Sequence, residues 1–161
     1  MKHSFSKMAG WGIPFFLIAG CLLFSSCTKS DVNVTADVAY TISGTANGSQ
    51  ATPSNNSGGS GNMSGTYYTQ TKLMTYTATW ANLTGAPVNG GLYIGAIGQA
   101  GSSFAAWTLG NNLSASGSVM LTATLNADQE AQLLAGKCYY LLSTTTYASG
   151  EVRGQITATK Q

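Results

Sequence analysis

From Met74 to Trp80 large or small apolar side chains alternate with threonines: Met74, Tyr76, Ala78 and Trp80 on one parity, Thr75, Thr77 and Thr79 on the other. Successive strand residues point to opposite faces, so this pattern predicts a strand with one buried and one wetted side. A helix would scatter the same residues around its circumference. The segment therefore commits its neighbourhood to a sheet, and the rest of the chain must supply partners for it.

The composition agrees. Only 7% of residues are charged, against 43% hydrophobic, and Gly, Ser, Thr and Asn fill the remainder. Few charges with many threonines and tyrosines favour strands over solvated helices. Gly65–Leu83 reads as a hairpin, with Thr66–Thr69 and Leu73–Leu83 as arms and Gln70–Lys72 as the turn. Strands are also predicted over Val34–Ser43, Leu92–Ile97, Phe104–Leu109, Gly117–Leu125 and Lys137–Thr145, the last apolar on both faces and so central. Residues 44–65 are almost wholly Gly, Ser, Asn, Thr and Ala, and read as a long flexible loop or a frayed hairpin. Asn126–Gly136 carries the helical signal: Asn126 can cap, Gln129 completes a capping box, and Gly136 can end the helix. Asp128 and Glu130 suit its first turn. The expected fold is all-β: an antiparallel sandwich, Greek-key or immunoglobulin-like, of about seven or eight short strands with one short helix.

Near the C-terminus stands Gly150-Glu151-Val152-Arg153-Gly154-Gln155-Ile156. As a strand it puts Glu151, Arg153 and Gln155 on one side and Val152, Gly154 and Ile156 on the other. Gly150 suits a positive-φ turn and Gly154 a close approach by a neighbouring group. The simplest role for Glu151 and Arg153 is a same-face ion pair, and the alternative is contact with a ligand. The heptad is expected to close the chain.

Residues 1–26 have the layout of a bacterial lipoprotein signal peptide: basic Lys2 and Lys7, a mostly apolar run from Trp11 to Phe24, then Ser25 and Ser26 before Cys27. Cys27 is the expected lipid attachment site, with residues 27–33 as a tether and 34–161 as the folded domain. Ile18-Ala19-Gly20-Cys21 also fits the pattern, so Cys21 stands as the alternative. An acyl anchor would hold the protein to a bilayer in the cell envelope, at a periplasmic or surface face. Cys138 is then left without a partner and is expected to be a small buried residue.

After residue 26 five basic residues (Lys29, Lys72, Lys137, Arg153, Lys160) balance five acidic ones (Asp31, Asp37, Asp128, Glu130, Glu151). Nucleic-acid binding has no electrostatic driving force in such a chain. The one histidine, His3, lies in the leader. Without a histidine the domain lacks the usual general base, and its scattered acids and single cysteine make no metal set.

In this order, Gly65-Thr66-Tyr67, Trp80-Ala81-Asn82-Leu83, Asn126-Ala127-Asp128, Leu133-Leu134-Ala135-Gly136, Tyr139-Tyr140 and Gly150–Gln155 resemble the motifs of the chordin-type (CHRD) domain, over about residues 34–159. The resemblance implies the family's β fold. That family often carries a His-x-His-Gly segment where this chain has Leu92-Tyr93-Ile94-Gly95, and a later histidine where it has Ser143. Any metal binding or chemistry those histidines perform in relatives is absent here.

The expected function is a lipid-anchored cell-envelope CHRD protein that binds or builds rather than catalyses, with no cofactor and an unknown protein or glycan partner. The candidate interaction residues are Glu151, Arg153, Gln155, Tyr139 and Tyr140. Tyr139 and Tyr140 have opposite parity, so one is expected to face outward. A glycan-binding module using exposed aromatics and a divergent metal-binding or enzymatic family member are the alternatives.

Overall fold

The computed structural model describes residues 37–161. The expected signal peptide, Cys21, Cys27 and the tether lie outside the described residues. Nine strands and one α-helix follow: β1 (Ala39–Asn47), β2 (Ser60–Tyr68), β3 (Leu73–Ala81), β4 (Asn89–Ile94), β5 (Ser103–Ala106), β6 (Gly117–Thr124), α1 (Ala127–Leu134), β7 (Cys138–Ser143), β8 (Val152–Gln155) and β9 (Thr157–Lys160). They form one antiparallel sheet in the order β5-β4-β7-β8-β1-β2-β3-β6, with β9 pairing the other part of β1.

The sheet is nearly closed on itself. Its two parts, β5-β4-β7-β8 and β9-β1-β2-β3-β6, join where Asn47 pairs with Arg153. The parts face one another across a shared core that includes Ile42, Met63, Tyr67, Tyr76, Leu92, Tyr140 and Val152. Trp107, just beyond β5, reaches Tyr76 of β3 at a ring-centroid distance of 6.2 Å. The predicted alternation holds in β3: Met74, Tyr76, Ala78 and Trp80 are buried, while Thr75 and Thr79 are exposed. Across β9, β1, β2, β3 and β6 the register puts Thr159, Thr41, Thr66, Thr75 and Thr122 in one row. A hydroxyl-bearing outer face of this kind keeps a charge-poor sheet wetted.

Several boundaries differ from the sequence reading. Of residues 44–65, expected as a flexible loop or frayed hairpin, 44–47 extend β1 and 60–65 open β2, and the two strands pair as a hairpin with 48–59 as the connection. Gly65 of β2 also lets β3 approach closely on its other side, because a Cβ there would stand 2.3 Å from the Thr75 carbonyl oxygen. The connection that remains begins with a 3-10 turn at Gly48–Gln50, capped by the Asn47 side chain, which accepts from the Gln50 amide at 3.1 Å. The heptad does not close the chain, since β9 follows and runs along β1 from Ser43 to Tyr40.

The helix begins as the sequence indicates. Asn126 Oδ1 accepts from the Gln129 amide and Gln129 Oε1 accepts from the Asn126 amide, both at 2.9 Å. Gly136 follows with φ +67°, where only glycine is unstrained. Glu130, in the first turn, takes a 2.5 Å hydrogen bond from Lys72 Nζ, which ties the helix to the β2–β3 turn. Every residue of β7 is buried, as its two-sided apolar pattern predicts.

Candidate functional site

The glycines of the heptad have mechanical causes. Gly150 has φ +130°, and a Cβ there would lie 2.6 Å from Leu141 Cδ1. Gly154 makes room for Tyr140, whose Cε1 would be 2.5 Å from a Cβ at that position. Val152 and Ile156 point into the core with it.

The polar side of the heptad is not a solvent face. Glu151 is 0% and Arg153 2% exposed. They do not pair with each other. Each polar side chain instead fastens a different set of loops to β8.

Glu151 gathers three loops. Its Oε1 accepts from Ser57 Oγ at 2.6 Å and from the Thr84 amide at 2.7 Å. Its Oε2 accepts from Thr84 Oγ1 at 2.7 Å and Thr144 Oγ1 at 2.5 Å. Burial, the largest single influence, pushes this carboxyl upward, but the bonds from Ser57, Thr144 and Thr84 together outweigh it and hold the carboxyl below the ordinary glutamate value. Asn55 adds to the same junction, donating its Nδ2 to the carbonyls of Gly150 and Glu151, both at 3.1 Å.

Gln155 fastens the other end. Its Nε2 donates to the carbonyls of Gly95 at 3.0 Å and Gly136 at 2.8 Å. Arg153, between them, donates from Nη1 to Thr52 Oγ1 at 2.8 Å, and from Nη2 to the Ala96 carbonyl at 2.6 Å and Gln155 Oε1 at 3.3 Å. Its guanidinium carbon sits 3.7 Å from the centroid of the Tyr139 ring. A desolvated cation over a tyrosine face is worth about 2 kcal/mol. No carboxylate among the described residues lies within ion-pair distance of Arg153; the ion pair seen among them is Lys72–Glu130.

Two clefts open beside this arginine. One, of about 370 Å³, lies between the 49–54 segment and Ile97-Gly98, with Gln50, Ser54 and Gln155 in its wall. The other, of about 280 Å³, is bounded by Tyr93, Tyr139, Asn89 and Ser149. Thr52 and Arg153 line both, and no acidic residue lines either.

Of the candidate interaction residues, Arg153, Gln155 and Tyr139 come together at these clefts. Glu151 and Tyr140 do not reach them. The expectation that one of the two tyrosines faces outward is not met: Tyr139 is 3% and Tyr140 0% exposed. Tyr140 fills the core side, and Tyr139, on the outer parity, is roofed by Arg153 and by the Gly101 amide, which donates to its hydroxyl at 3.0 Å. Tyr139 also stacks on Tyr93 with centroids 5.1 Å apart. The other large aromatics are mostly core: Tyr67, Tyr76, Trp80 and Trp107 are all buried, and among the tyrosines Tyr68 is exposed, at 42%. No aromatic row is presented to solvent among the described residues.

Cys138 is buried and free, and burial pushes its thiol up to about 12. Among the described residues no group of three or more His, Cys, Asp or Glu converges to hold a metal. Ser57, Thr84 and Thr144 were invisible as site residues in the sequence. Each is one hydroxyl among many in this Ser- and Thr-rich chain, and only the fold shows that they meet around one carboxylate.

No curated protein and no solved structure matches the chain. The CHRD domain family matches residues 42–156, from β1 to the end of the heptad. That span takes in every strand from β1 to β8 and the junction just described, and the chain belongs to the CHRD domain family.

Proposed function

We propose that this CHRD domain protein is a lipid-anchored module of the cell envelope that binds a partner without transforming it. The two halves of its curled sheet serve as the layers of an antiparallel sandwich, and the loops at one end carry the contact surface. One observation supports the reading above others: the reactive groups of the domain are committed to its own fold. The Glu151 carboxylate is enclosed by four donors and the Cys138 thiol is buried. What stays open is the pair of clefts beside Arg153, with Ile97 82% exposed at the lip of one. Lipidation at Cys27 would put those clefts within reach of whatever lies near the membrane.

Two experiments test this. Mass spectrometry of the purified N-terminal peptide should find an acylated Cys27; an unmodified amino end contradicts the anchor. A photo-crosslinker placed at Ile97 in cells should give a discrete adduct, whereas one at Thr75 on the threonine face should not. Equal yields at both positions would remove the clefts as the contact surface.

A further inference from the structure

Arg153 poses a question that the fold leaves open. It is 98% out of solvent by the 2% exposure above, it is charged at any physiological pH, and it has no carboxylate partner among the described residues. A buried ion ordinarily has a counter-ion, because desolvation otherwise costs several kcal/mol. The nearest acid along the strand, Glu151, is already held by neutral donors of its own. The hydrogen bonds Arg153 makes, to Thr52, Ala96 and Gln155, use three of its five donor hydrogens.

We propose that the cleft between the 49–54 segment and Ile97-Gly98 is a binding site for a hydroxylated carboxylate, a uronic acid residue of an acidic glycan, with Arg153 supplying the countercharge. Resting on the reading of the protein as a binding module, it names the ligand class. Three features select that class. The cleft holds one full positive charge and no other ion, which matches a monoanion and leaves a phosphate dianion half-neutralised. Its remaining polar lining offers the hydroxyls of Thr52 and Ser54, which suit ring hydroxyls, while Gln50 and Gln155 brace the wall through bonds to the Thr45 and Gly95 carbonyls. Its volume of about 370 Å³ is of the size that takes one or two sugar rings, and Ile97 gives the apolar flank that a sugar face packs on. Thr52 Oγ1 already accepts from Arg153 Nη1, so its hydroxyl hydrogen is left to point away from the guanidinium.

The test is calorimetric titration of the full-length protein in detergent with digalacturonic acid, and in parallel with neutral galactobiose and with inorganic phosphate. Saturable binding of the acid, at least tenfold tighter than that of the neutral disaccharide and of phosphate, is the expected result. Arg153→Met should abolish it. Because that variant loses internal contacts and can fail to fold, Ser54→Ala with Ile97→Ala gives a second reading. Both side chains are exposed at the cleft, and their loss should weaken binding severalfold at unchanged thermal stability. Equal binding of the neutral sugar, tighter binding of phosphate, or no saturation by the acid overturns the proposal. The crosslinking at Ile97 described above is independent of ligand charge, so a failed titration with a positive crosslink removes the acidic-sugar assignment alone.

Discussion

Gly154 of β8 lies directly opposite Tyr140 of β7, and the tyrosine ring occupies the space where a Cβ would be. The same ring is in contact range of a Cβ at Gly44, at 3.3 Å, and its hydroxyl donates to the Gly44 carbonyl at 3.2 Å. At Gly154 the backbone closes in as well, with the Thr45 carbonyl oxygen 2.7 Å from the same point. A ring can rotate away, but a paired strand carbonyl cannot. Gly154→Ala should therefore destabilise the domain by about 3 kcal/mol, at the upper end of overpacking costs. Chemical denaturation should show the loss, and in a Tyr140→Ala background the same substitution should cost less but not nothing, since the Thr45 oxygen remains. A neutral Gly154→Ala variant would mean that β1 and β8 are not this close.

Glu151 replaces an ion pair with a ring of neutral donors. Removing the acceptor strands Ser57, Thr84 and Thr144 together, at a junction where three loops meet. Glu151→Ala is expected to cost about 3 kcal/mol, in the range for hydrogen bonds to a buried charge. Limited proteolysis should then cut first in the 51–59 loop, which Ser57 and Asn55 hold to the heptad. Cleavage elsewhere, with that loop still protected, would contradict the role assigned to Glu151.

The same carboxylate sets an acid limit. Its pKa in the fold lies below the ordinary value, as does that of Glu130, which is lowered chiefly by the Lys72 hydrogen bond against an opposing effect of burial. For a group depressed in the folded state, the stabilisation is complete above the unfolded pKa of about 4.3 and is lost as pH falls through the folded value. Thermal midpoints should be flat from pH 5 to 7 on this account and should decline below about pH 4. Glu151→Gln should start lower and decline less steeply, because one of the two linked protonations is gone. An unchanged slope would show that Glu151 does not titrate with unfolding.

Cys138 predicts a contrast in reactivity. Its thiol, pushed up to about 12 by burial, is protonated and shielded at neutral pH. Iodoacetamide at pH 8 should leave the Cys138 peptide unmodified in the native protein and alkylate it fully in guanidinium. Rapid native labelling would mean that β7 is more open than its fully buried pattern indicates.

What the sequence revealed and what it concealed divide by range. The period-two run of β3, the Asn126–Gln129 capping box, the two-sided β7 and the glycines at 150 and 154 are local signals, and each is met in the fold. Within the 44–65 segment the order of the 48–59 connection was not legible because it comes from afar: Asn55 and Ser57 bond to residues 150 and 151. The strand β9 was missed because Thr-Ala-Thr-Lys is short and polar, with only Ala158 turned toward the core. Parity correctly put Glu151, Arg153 and Gln155 on one side of β8. It could not say that loops would cover that side, so a same-face ion pair was the natural reading and separate burial is the outcome. The same covering loops buried Tyr139 and created the clefts.

The claim that the module works through the cleft at Arg153 is tested most directly by mapping a bound ligand. Amide resonances of the full-length protein in micelles would be followed during titration with digalacturonic acid. Shift changes are predicted to cluster at residues 49–54, at Ile97 and Gly98, and at Arg153 and Gln155. Changes centred instead on Thr41, Thr66, Thr75 and Thr122, across the outer face of the sheet, would contradict it.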